Sequence, residues 1–220
     1  MSPEILILIA VGAGIFFLSA KTSPTPSQNV PRPYNRGLAL KIAQAAIDEH
    51  TNWKSRTETD PSVKSVLLRY WTSVGYSEKS ALLAISSRTF WSAAFVSYCV
   101  EKAGAGFLFR SSDTHSVYCA QAKQNRTTKL NNPFYLYRTT ERAPKVGDFI
   151  CRSRDGSNIS FDNVGDGKSR PSHCDIVVKV FDGYIEIIGG NVDNTVTRRR
   201  VNTTNGMVSS KDFYAVLGVE

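Results

Sequence analysis

The period of the hydrophobic pattern changes once along this chain, near Asn131, and that change restricts the folds open to it. Upstream, apolar residues recur at helical spacing. Leu38 to His50 carries Leu40, Ala43 and Ile47 on one face, Asp60 and Pro61 open a second helix reaching Trp71, and Ser77 to Ile85 forms a short third. Ser112 or Asp113 caps a later helix through His115, Tyr118 and Ala122. Downstream, Phe134–Tyr137, Asp148–Cys151, His173–Val180, Tyr184–Ile188, Thr195–Val201 and Phe213–Val219 read as strands, with turn signals at Asp182-Gly183 and Asn205-Gly206. Helices followed by a strand meander imply an α+β fold, with N-terminal helices packed on an antiparallel sheet or half-barrel of about five to six strands.

Among the helices, Thr89 to Val100 carries the most chemical information. Ser92, Phe95, Val96, Cys99, Val100 and Ala103 form a continuous stripe that stops at Gly104-Ala105-Gly106. It puts a small hydroxyl at the first turn, facing inward beside unpaired backbone N–H groups and the positive end of the helix dipole. A nucleophile and its oxyanion hole need that environment, although a serine bonded back to its own helix satisfies the same pattern.

The N-terminal segment has a different character. Residues 5–20 are an uncharged apolar run, read as one apolar helix that anchors the chain in a membrane or acts as an export signal. Residues 1–20 are thus a transmembrane or signal segment, 21–37 a Pro/Ser-rich linker, and 38–220 the folded domain. The expected location is membrane-associated or exported, at the cell envelope or periplasm, or in a virion membrane if the chain is phage-encoded. Over 220 residues the net charge is +8, which suits an anionic partner such as a cell-wall polymer. The cations are scattered and no nucleic-acid motif is present, so nucleic acid is not expected. Four cysteines without CxxC spacing and three scattered histidines predict no metal site. If a disulfide forms, Cys151–Cys174 is the expected pair, because both residues lie in neighbouring strands.

The strand half supplies the rest of a candidate site. With Asp182-Gly183 as a hairpin turn, Lys179 faces Glu186, and Ile176, Val178 and Val180 share a face with Ile185 and Ile187. His173 then lies at the hairpin end next to Asn191, and a bulge at Gly189-Gly190 turns Asn191 toward it. Without that bulge Asp175, on the same strand and face as His173, becomes the orienting carboxylate. Between Arg154 and Ser172 a Gly/Ser/Asp-rich loop reads as a lid or binding loop ending just before His173.

A helix opening with Trp91-Ser92-Ala93-Ala94-Phe95-Val96-Ser97-Tyr98, a strand opening with Gly147-Asp148-Phe149-Ile150-Cys151, then Ser172-His173-Cys174-Asp175 and Gly189-Gly190-Asn191 resemble a family. From Leu38 to Glu220 the chain is similar to the papain-like cell-wall hydrolase clan of CHAP and NlpC-type peptidases, and within it to the domain-of-unknown-function family 2272. The resemblance implies a nucleophile at Ser92, where the clan usually carries Cys, a base at His173 and an orienting residue at Asn191. It implies no cofactor and a peptidoglycan substrate, cleaved at an amide bond by an amidase or endopeptidase through an acyl-enzyme. A phage lytic enzyme or a bacterial effector fits that role. A serine needs its base to remove the proton during attack, so a catalytically inactive wall-binding domain is the alternative, and an acyltransferase or esterase with the same triad is a third. Cys99, two turns inside its helix, and Cys174, facing away from His173, are the less suitable nucleophiles. Substrate contacts are expected from Trp91, which can equally be core, from His115, which lines the cleft or caps its helix, and from Arg152, at the end of its strand.

Overall fold

The computed structural model describes residues 10–11, 14–15, 35–168 and 170–220, and its contacts divide the chain into units 1–32 and 33–220. In the first unit β1 (Ala10–Val11) pairs antiparallel with β2 (Gly14–Ile15). The apolar helix expected over residues 5–20 is therefore not supported at its centre, and the rest of that run lies outside the described residues. No described helix is long and apolar enough to cross a membrane. Most of the linker expected at 21–37 also lies outside the described residues, and helical structure begins slightly earlier than Leu38.

The second unit has the expected α+β order. Helices α1 (Arg36–Trp53), α2 (Lys64–Ser73), α3 (Glu78–Ser86), α4 (Ser92–Lys102) and α5 (His115–Thr127) come first. Local signals set their ends: Asn35 and Asp60 accept backbone N–H groups as caps, and Gly104 takes φ +85° just after α4. Strands β3 (Phe134–Tyr137), β4 (Phe149–Ser153), β5 (Ser172–Phe181), β6 (Tyr184–Val192), β7 (Thr195–Thr204), β8 (Met207–Val208) and β9 (Phe213–Val219) follow. They form a curled antiparallel half-barrel in the order β3-β9-β4-β5-β6-β7-β8. Asn205 and Gly206 both adopt positive φ at the β7–β8 turn, as a two-residue hairpin loop requires.

The sheet has an apolar cluster on each face. Cys174, Ile176, Val178 and Ile188 join the cluster beneath the helices, whereas Ile150, Val177, Ile185, Ile187, Val201 and Phe213 form a second cluster made only of strand residues. Lys179 pairs with Glu186 as expected, but the register shifts between Val177 and Lys179. That bulge corrects the expected face assignment: Ile176 and Val178 turn to the helices, Val177 joins Ile185 and Ile187, and Val180 is exposed. Helix α4 is likewise more enclosed than a single stripe implies, since every residue from Ser92 to Val100 is buried.

A buried charge network closes the sheet at the start of β4. Arg142 donates from Nε and Nη2 to Asp148 at 2.8 and 3.0 Å, and the Lys145 and Val219 backbone N–H groups donate to the same carboxylate at 2.9 Å each. Asp148 is fully buried, so removing it leaves Arg142 with only its Glu220 contact and strands two backbone donors. Beside it Gly147 sits at φ +90°, where a Cβ would lie 2.3 Å from the Ala39 carbonyl oxygen, so α1 and β4 can meet only through glycine. Asp148→Ala is expected to lower unfolding free energy by about 3–5 kcal/mol, read from urea denaturation; a loss comparable with an exposed-site substitution would refute this account.

Candidate active site

Ser92 opens α4 directly after Trp91 and is 3 % exposed. Its hydroxyl lies 2.7 Å from Nε2 of His115, the first residue of α5. The imidazole in contact with Ser92 is thus His115, not His173. This corrects the expected pairing and draws His115 inward from the cleft-wall or capping role. Ser112 ties down the preceding loop, its N–H donating to Ser97 Oγ at 3.0 Å, so that α5 starts over α4.

The other nitrogen of His115 fixes the ring's protonation. Its Nδ1 accepts the Cys174 backbone N–H at 3.2 Å and also contacts the Tyr118 hydroxyl. A backbone N–H can only donate, so Nδ1 carries no proton, and in the neutral ring the proton sits on Nε2. Burial pushes the His115 pKa well below its usual value, helped by the charges of His173, Arg154 and Arg152 and opposed by Asp175. Neutral His115 therefore donates from Nε2 to Ser92 Oγ in the resting arrangement.

His173 stands behind this pair, its ring centroid 5.2 Å from that of His115. Its Nε2 faces Asp175 Oδ1 at 3.2 Å, and Arg199 Nη2 donates to Asp175 Oδ2 at 2.6 Å. Burial alone would raise the Asp175 pKa, but His173 and Arg199 outweigh it and hold the carboxyl well below the usual range.

The register of β6 against β7 shifts between Gly189 and Val192, as a bulge there predicts, and Asn191 takes φ +54°. Asn191 nonetheless does not orient His173. With its amide oxygen facing the available donors, it accepts the Trp91 backbone N–H and indole Nε1–H, both at 3.1 Å. It thus holds the residue preceding Ser92, and the side chain facing His173 is that of Asp175. The two glycines matter more than the bulge alone suggests. A Cβ at Gly189 would sit 2.0 Å from Asp175 Oδ1, and one at Gly190 would sit 2.6 Å from the Phe95 ring.

Trp91 is core, not a platform: it is 2 % exposed, stacks on Trp53 at 4.8 Å, and donates its indole N–H to Glu58 at 2.7 Å as well. Arg152 pairs with His173 across β4 and β5, placing its guanidinium on the His173 side of the sheet. The resemblance marked Ser92, His173 and Asn191. It missed Tyr118, Asp175's pairing and Arg199, whose signals were a His-x-x-Tyr turn of helix and a charge alternating with His173 along β5.

Cys151 and Cys174 lie directly opposite each other in the β4–β5 register and form a disulfide, the pair named for the case that one forms. Cys119 Sγ sits 3.6 and 3.7 Å from their sulfurs. Cys119, Cys151 and Cys174 are close enough together to surround an ion, but the disulfide removes two of the three thiolates such a site would use.

Because folding lowers the His115 pKa, the unfolded chain takes up its proton first on acidification. The stability from neutral His115 is present above its ordinary pKa of 6.5 and is lost as pH falls below it. The urea midpoint is expected to fall between about pH 8 and about pH 5, and His115→Gln should flatten that slope. An unchanged slope in the variant would refute the assignment of a buried neutral ring.

Residues 61–217 match the family described as an uncharacterized protein conserved in bacteria, DUF2272. No curated protein and no solved structure matches the chain. That match spans the helices and strands supplying Ser92, His115, His173, Asp175 and Asn191, and the chain belongs to this bacterial family.

Proposed function

We propose that the domain hydrolyses an amide bond of peptidoglycan, with Ser92 as nucleophile and His115 in place of His173 as its proton partner. The supporting observation is the Ser92 Oγ–His115 Nε2 contact of 2.7 Å at the first turn of α4. The helix start offers the Ser92 backbone N–H to the developing oxyanion. No cofactor takes part.

Attack requires Nε2 to be free of its proton. The ring therefore has to carry its proton on Nδ1 instead, donating to the Tyr118 oxygen while the Cys174 N–H loses its acceptor. Nε2 then accepts the Ser92 proton as Oγ bonds to the carbonyl carbon. The imidazolium returns that proton to the departing amine, and water releases the acyl group by the same steps in reverse order. The pair His173–Asp175 lies one ring away, and its carboxylate favours the transient positive charge on His115.

A second reading, a non-catalytic domain that binds the wall, is favoured by the resting tautomer, in which His115 donates to a nearly buried serine. In either reading the positive charge suits an anionic polymer, and the apolar N-terminal run suits delivery to the envelope.

The two readings separate when the purified protein is incubated with peptidoglycan fragments and the products are read by mass spectrometry. The hydrolase reading expects new fragments, and a loss of about 10³-fold or more in Ser92→Ala and His115→Ala with the fold intact. It also expects serine-directed fluorophosphonate labelling at Ser92. Intact fragments, no label, and wall binding unaffected by Ser92→Ala would establish the binding domain instead.

A further inference from the structure

The sheet face away from the helices carries a cavity of about 370 Å³ beside the strand-only cluster. Its walls include Arg152 from β4, Arg199 and Arg200 from β7, and Ser209, Ser210 and Asp212 from the segment before β9. Two guanidinium Nε atoms there, on Arg152 and Arg199, are buried without a hydrogen-bond partner among the described residues. Leaving a buried charged donor unmet is costly, and one such group needs an explanation; two at one cavity need a shared one.

Nearby carboxylates do not supply it. Asp175 uses Oδ2 on Arg199 Nη2 and Oδ1 on His173. Glu186 is held by Arg198 at 2.5 Å and reaches Arg200 Nε only at 3.4 Å. Asp212 accepts the Ser210 hydroxyl at 3.1 Å. Burial lowers the Arg152 pKa, with the like charges of Arg199 and Arg154 adding to it and Asp175 and Asp212 opposing. An anion entering the cavity would offset the positive charge of the three guanidinium groups and give them an acceptor once the side chains turn toward it.

We infer that this cavity binds an oxyanion group, a carboxylate or a phosphate, through Arg152, Arg199 and Arg200, with Asp175 linking it to His173. The cavity lies on the same side of the sheet as His173 and Asp175, but the inference does not depend on the hydrolase reading, because it is read by binding. Asp175 accepts from Arg199 on one oxygen and faces His173 with the other, so a ligand that draws Arg199 away shifts the field at His173.

The test is calorimetric titration of the full chain with sodium phosphate and with sodium acetate, at ionic strength held constant by sodium chloride. Saturable binding of phosphate alone assigns a phosphate ligand, and saturable binding of acetate alone or of both assigns carboxylate as an accepted group. Arg152→Gln is expected to weaken that binding about tenfold or more. Arg200→Gln, at a side chain 68 % exposed and so unimportant to folding, is expected to weaken it severalfold. Heat no different from the chloride control for both anions would overturn the inference. So would saturable binding that both variants, folded by circular dichroism, retain at full strength.

Discussion

The close approach of β6 to α4 is the contact on which the arrangement depends. At Gly190 the strand backbone lies against Phe95 and Trp91, and at Gly189 against Asp175 and His173. A methyl group at Gly190 would overlap atoms that cannot retreat, because Phe95 and Trp91 are packed into an aromatic group with Trp53 and Tyr70, and one at Gly189 would push the Asp175 carboxylate from its place beside His173. The absence of two side chains thus lets the helix carrying Ser92 sit against the strands carrying His173 and Asp175. Asn191, one residue further on, completes the join by accepting both N–H groups of Trp91.

Within that frame the polar residues form two linked chains. One runs from Ser92 through His115 to the Cys174 backbone and Tyr118; the other runs from His173 through Asp175 to Arg199. Burial keeps the first imidazole neutral, whereas His173 and the Arg199 guanidinium keep the Asp175 carboxylate ionised. The two histidines stand side by side in different electrostatic surroundings, and helix α5 and strand β5 thereby place a neutral donor and an anionic acceptor a ring apart.

Much of this is legible in the sequence, for identifiable reasons. Helix starts at Asp60 and Ser77, the stop at Gly104, and the hairpins at Gly183 and Asn205-Gly206 rest on local chemistry that tertiary structure does not override. The Cys151–Cys174 pairing follows from strand adjacency. The bulge at Val178 left no local signal, since valine suits regular strand as well as a bulge, and it turned the expected apolar face over. His115 is the clearest lesson. Its neighbours in sequence are unremarkable, and it enters the site only because α5 folds back over the first turn of α4, a long-range event with no periodic trace. The resemblance pointed to His173 because it sits on a strand; it could not show that the loop at Ser112 delivers another imidazole first.

The sulfur trio has a consequence for durability. Three sulfur atoms lie close enough for one to displace another, yet displacement requires the attacking sulfur to be ionised. Burial pushes the Cys119 thiol up to about 12, so at neutral pH it is a protonated spectator beside a bond it could otherwise break. The strand whose amide steadies His115 is thereby cross-linked by a bridge with a would-be competitor in place but disarmed. Reshuffling of that bridge must wait for water to enter the core, which ties its lifetime to that of the folded domain.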